Sequence, residues 1–144
     1  MPQIPQIRSV MTTFPYSIGL EAPLAEAREL MRRHGIRHLP VTRGHELVGI
    51  VTDRDVKRVL GRDSDRPPER RLRVEDVYLD KPYVVESHEP LDNVLLNMSD
   101  MHIGSALVTH RGKLAGLFTV TDACRCFGEF LRQHYRPPEG NDAA

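Results

Sequence analysis

The 144 residues carry 20 basic and 20 acidic side chains, a formal net charge of zero, with 40% hydrophobic content. This balance excludes a general electrostatic pull toward nucleic acid or an anionic membrane, so any anion site must be local. No apolar run approaches the roughly 20 residues that cross a bilayer, and Met1–Gln6 has neither the charged start nor the apolar block of a signal peptide; the expectation is a cytoplasmic chain.

In chain order, residues 1–9 hold two prolines and the scattered Ile4 and Ile7, and read as a lead-in that docks on the body. A first unit follows over residues 10–60. It opens with a short strand at about Tyr16–Ile18, then a helix opened by Pro23 near its first position, with Gly35 as its C-terminal cap. Leu24, Ala27, Leu30 and Met31 recur at helical spacing and give that helix one apolar face for a core. Two strands, His38–Thr42 and Leu47–Val51, are joined by the turn Arg43–Glu46, and a helix from Asp53 to Leu60 closes the unit.

Residues 61–73, from Gly61 through Pro67-Pro68 to Arg71, are polar and mixed in charge and read as an exposed linker. A second unit over residues 74–135 then repeats the first without a gap, at a constant offset of 67: Val10 pairs with Val77, Pro15-Tyr16 with Pro82-Tyr83, Pro23-Leu24 with Pro90-Leu91, Gly49 with Gly116 and Asp55 with Asp122. Its strands are expected at Tyr83–Val85, Ala106–Thr109 and Leu114–Phe118. Its last helix runs on through Phe127, Phe130 and Leu131 to Pro137-Pro138, and residues 136–144 read as a disordered tail. One strand–helix–strand–strand–helix unit has too few elements to cover its sheet, so the two copies share a core. Cys124 and Cys126 lie two apart on a helix and point apart, which reads as two free thiols and no metal site.

Each copy contains Gly-h-h-Thr-x-x-Asp, where h is apolar, at a strand-to-helix junction: Gly49 to Asp55 and Gly116 to Asp122. On chemistry alone, Thr52 with Asp55 and Thr119 with Asp122 form capping boxes, each worth about 1 kcal/mol. The same place, a helix N-terminus with free N–H groups beside a carboxylate, also suits a phosphate-bearing ligand.

Taken together, Val10-Met11-Thr12, Pro23-Leu24, His34-Gly35-Ile36-Arg37-His38-Leu39-Pro40-Val41 and Gly49-Ile50-Val51-Thr52-Asp53-Arg54-Asp55 resemble the tandem cystathionine-β-synthase (CBS) domain pair, or Bateman module, from Val10 to about Phe127. The resemblance implies an α+β fold of two βαββα repeats packed with pseudo-twofold symmetry. It further implies an adenosine ligand such as AMP, ADP, ATP or S-adenosylmethionine in the clefts between repeats. Carried over to this chain, it places the ribose carboxylates at Asp55 and Asp122 and the adjoining hydroxyls at Thr52 and Thr119. The adenine side falls on Ser17, Ile18, Arg37, His38, Leu39 and Pro40 in the first copy and on Val84, Ser105 and Ala106 in the second. Arg54 adds charge beside the first motif. The first copy is the more basic, and the second lacks the proline at Pro40's place.

The reading is therefore a regulatory module without catalytic function: no nucleophile elbow or metal-ligand spacing occurs, and no paired carboxylates have an evident role. It binds its ligand between the repeats, forms a homodimer and signals to a protein partner in trans. The competing reading is a ligand-independent dimerisation domain that uses the apolar last helix, whose Phe127 and Phe130 otherwise serve the protein's own core.

Overall fold

A computed structural model describes residues 2–13, 15–63, 65–136 and 139. The expectation of a disordered tail falls largely outside them. Each copy forms the expected unit. In the first, β2 (Ile18–Gly19), α1 (Leu24–His34), β3 (His38–Arg43), β4 (Glu46–Thr52) and α2 (Asp53–Asp63) give a three-stranded sheet in the order β2-β3-β4, with β2 parallel to β3. In the second, β5 (Val84–Glu86), α3 (Leu91–Met101), β6 (Ser105–His110), β7 (Lys113–Thr119) and α4 (Val120–His134) repeat this arrangement. A short strand from the N-terminus, β1 (Thr12–Thr13), extends the second sheet to β1-β7-β6-β5.

Pro23 and Pro90 sit at the N-cap with extended backbone, next to the first helical residues Leu24 and Leu91, as expected. Gly35 caps α1 in the left-handed conformation, at a φ of 63°. The equivalent place in the second copy is taken by His102 at a φ of 54°, a strained position for a residue with a Cβ. The first strand of each copy begins later than expected. In copy one the cause is Pro40: in copy two the Leu107 N–H donates to the Tyr83 carbonyl at 2.9 Å, whereas Pro40 has no N–H to give Tyr16.

The segment before each repeat packs on the other one. Ile7, fully buried, joins the second core, and its N–H donates to the Glu89 carbonyl at 2.8 Å; Thr12 and Thr13 pair with Leu117 and Gly116. Val74, equally buried, joins the first core, where its N–H reaches the Ala22 carbonyl at 2.9 Å, and Leu79 exchanges backbone hydrogen bonds with Ile50 at 2.8 and 3.0 Å. Two glycines make these crossings possible. A Cβ on Gly49 would collide with the Tyr78 ring and the Leu79 carbonyl, and one on Gly116 with Met11 and the Thr12 carbonyl.

Two cores result, one per repeat, with a third cluster between them of Ile50, Leu107 and Leu117, flanked by Leu47 and Leu114. Leu47 and Ile50 are the repeat equivalents of Leu114 and Leu117, so the seam joins like surface to like around a pseudo-twofold axis.

Candidate functional site

Strand pairing assembles each site from two directions. In copy one the β3–β4 ladder sets His38 opposite Thr52, and the Asp53 N–H at the start of α2 donates to the Arg37 carbonyl at 2.8 Å. This brings the Arg37-His38 segment against the Thr-x-x-Asp junction. Copy two does the same: Ser105 lies opposite Thr119, and the Val120 N–H donates to the Gly104 carbonyl at 3.0 Å. The two segments also meet across the repeat boundary, because a Cβ on Gly104 would lie only 3.6 Å from Nε2 of His38. His38 is half-buried, and its pKa is held below the usual histidine value, first by burial and then by the charge of Arg37.

The two aspartates differ. Thr52 Oγ1 donates to Asp55 Oδ2 at 2.8 Å and accepts from the Asp55 N–H at 3.3 Å, leaving Oδ1 without a hydrogen-bond partner among the described residues. Asp122 is buried and engaged through both oxygens. Its Oδ2 accepts from the Thr119 N–H at 2.9 Å and the Thr119 hydroxyl at 3.1 Å, while Oδ1 pairs with Arg125 at 3.0 Å. The second junction is thus a complete capping box, as the spacing predicts. Arg58 holds the place of Arg125 in copy one, yet no ion pair with Asp55 forms among the described residues.

Several residues expected around the adenine have side chains committed elsewhere. Ile18 and Leu39 pack in the first core, Ala106 in the second, and Pro40 is fully buried, so these four offer a ligand only their backbone. Ser17, Arg37, Arg54 and Val84 are exposed, and Ser105 is half-buried. Beside Ser17 the structure adds a feature that sequence reasoning missed: Tyr16 stacks on His34, with ring centroids 3.7 Å apart and planes 13° from parallel. No periodic signal marks such a pair, because its members come from a loop and the end of α1. The Tyr16 carbonyl also lacks the ladder donor that its counterpart Tyr83 has.

Ser87 Oγ lies 2.9 Å from His110 Nδ1, but the nearby Glu86 carboxylate accepts from Thr109 at 2.8 Å rather than from the imidazole. Ser87 itself is only 5% exposed, so this pair lacks both the orienting acid and the access of a nucleophilic site. No cluster of three metal-ligating side chains occurs among the described residues. Both cysteines are free.

The CBS domain model matches residues 7–62 and 74–129. The chain belongs to the CBS domain family. It carries the domain twice, as a tandem pair. Among related CBS-containing sequences, the L-aspartate semialdehyde sulfurtransferase of Methanocaldococcus jannaschii is 26% identical over 124 residues, which are 85% of this chain and 23% of that enzyme. The chain therefore spans under a quarter of that relative. Among solved CBS pairs, that of protein MJ0100 in complex with 5-methylthioadenosine and S-adenosyl-L-methionine superposes with a TM-score of 0.78 at 24% identity, covering 89% of this chain and 99% of the other. CBSX2 in complex with AMP gives 0.75 at 21%, covering 87% and 97%.

Proposed function

We propose that this CBS pair is a regulatory sensor that binds an adenosine ligand of the AMP, ADP, ATP or S-adenosylmethionine class, chiefly at the first repeat, and signals to a protein partner in trans as a homodimer. The observation that carries this reading is the contrast between Asp55 and Asp122. A ribose presents two adjacent hydroxyl donors, and Asp55 keeps a carboxylate oxygen open to accept them. At Asp122, Arg125 and Thr119 already take both oxygens.

Further support comes from the exposed Arg37 and Arg54, which provide charge for a phosphate near the α2 N-terminus, and from the Tyr16 carbonyl, an acceptor on the adenine side that no backbone donor reaches among the described residues. Two CBS pairs of the same fold are known with adenosine compounds bound, one with AMP and one with 5-methylthioadenosine and S-adenosyl-L-methionine. A ligand moves such a module only by its differential affinity for two arrangements of the repeats or of a dimer. The reading requires no catalytic step, and the enzyme to which the chain is related extends far beyond the matched part.

Calorimetric titration with AMP, ADP, ATP and S-adenosylmethionine tests the proposal: at least one is expected to bind saturably, and silence from all four overturns it. A second reading, assembly without ligand, is favoured by α4, where Phe127 is 63% exposed and Phe130 and Leu131 lie beside it. Dimerisation that ignores every nucleotide but is lost in Phe130→Asp would support that alternative.

A further inference from the structure

At the far end of α2 from Asp55, a recess of about 470 Å³ is lined by Ala25, Arg28, Glu29 and Arg32 of α1, Leu60, Gly61 and Asp63 of α2, and Arg71 of the returning chain. Its charges are not mutually satisfied. Arg32 and Glu29 neutralise each other at 2.8 Å. Among the described residues Arg28 has no ion-pair partner, and Arg71 hydrogen-bonds only to the backbone carbonyl of Arg66. Asp63 is 4% exposed; its Oδ1 accepts from the Leu72 N–H at 2.8 Å, and Oδ2, which is not sealed from solvent, has no partner among the described residues. A carboxylate oxygen that lines a recess is an acceptor available to an ammonium group. Arginine forks, in turn, match carboxylates in two-point contacts.

We infer that this recess is a binding site for an acidic α-amino acid, whose ammonium group meets Asp63 and whose carboxylates meet Arg28 and Arg71. The charge count selects this class: two unpaired guanidinium groups and one carboxylate complement a ligand with two carboxylates and one ammonium. Ala25 and Leu60 supply the apolar wall for its short carbon chain. The site lies roughly 12 Å along α2 from Asp55, at 1.5 Å per residue, so one rigid helix ends in both sites.

Calorimetry and thermal unfolding with L-glutamate, L-aspartate, glutarate, L-alanine and L-lysine test this inference. Glutamate or aspartate is expected to bind saturably at millimolar concentration and raise the melting temperature. Glutarate, lacking the ammonium group, and alanine, lacking the second carboxylate, bind at least tenfold more weakly. Arg28→Gln and Arg71→Gln each weaken the acidic amino acid tenfold or more, and Asp63→Asn abolishes the preference for glutamate over glutarate. If Asp63→Asn does not fold, the arginine variants decide. Asp55→Ala leaves the amino-acid response intact, which separates it from the adenosine reading. No saturable binding by either acidic amino acid, equal binding of lysine, or unchanged affinity in both arginine variants overturns the inference.

Discussion

Asp55 and Asp122 stand in the same sequence motif, with an arginine three residues on in each case, and still differ in what they offer a ligand. Local sequence predicts the capping role of both. It does not predict that Arg125 closes on Asp122 while Arg58 leaves Asp55 alone, because that choice depends on burial and side-chain packing around each junction. His38 carries a similar lesson. Its place at the start of a strand was legible, but its approach to Gly104 of the other repeat is a tertiary fact with a consequence for pH. Burial lowers the folded-state pKa of His38, so on acidification the unfolded chain takes up the proton first. The His38 contribution is therefore constant above the ordinary histidine pKa and turns destabilising as pH falls below it. Urea unfolding across pH 5–8 is expected to show a loss of stability on the acid side that is smaller in His38→Asn.

Elements followed the sequence closely where periodicity or a breaker fixed them: α1 with its Gly35 cap, the two hairpins, and the start of α2. They departed where the determinant lay on another segment. The late start of β2 comes from the missing N–H of Pro40 on the neighbouring strand. The crossing of the segments around Ile7 and Val74 onto opposite repeats has no local signature beyond two small residues, Gly49 and Gly116. Two predictions belong at this scale. Gly49→Ala pushes a Cβ into the Leu79 backbone and is expected to cost about 1–3 kcal/mol, as overpacking does, in denaturant unfolding. Ile7→Ala is expected to cost about 2–5 kcal/mol through the cavity it leaves, and hydrogen exchange should locate the loosening in β5–β7 rather than in β2–β4. Thr119→Ala, which removes one side of the α4 capping box, is a milder case at about 1 kcal/mol.

For the whole molecule, the 67-residue offset became a pseudo-twofold axis running through the Ile50–Leu117 seam. The symmetry is of fold and not of surface. The exposed faces of the first repeat's helices carry Arg28, Arg32, Arg33, Arg54, Lys57 and Arg58, whereas those of the second carry Leu96, Phe127, Phe130 and Leu131. In the homodimer proposed above, an isologous contact through the second repeat would bury the apolar face and leave the basic one free. Light scattering on Phe127→Glu is expected to report a monomer where the parent chain is a dimer; an unchanged mass would remove α4 from the interface. The sheet positions and the Thr-x-x-Asp junctions of the candidate site were legible in the sequence. The recess at Asp63 was not, because no local pattern separates that carboxylate from the charged linker around it.

The inequality of the two clefts is the central claim, and the paired variants Asp55→Ala and Asp122→Ala test it directly in one calorimetric series with whichever adenosine ligand the parent protein binds. The expected result is that Asp55→Ala weakens the principal binding event tenfold or more while Asp122→Ala leaves it within twofold. Loss of that event in Asp122→Ala with Asp55→Ala unaffected, or full binding in both, contradicts it.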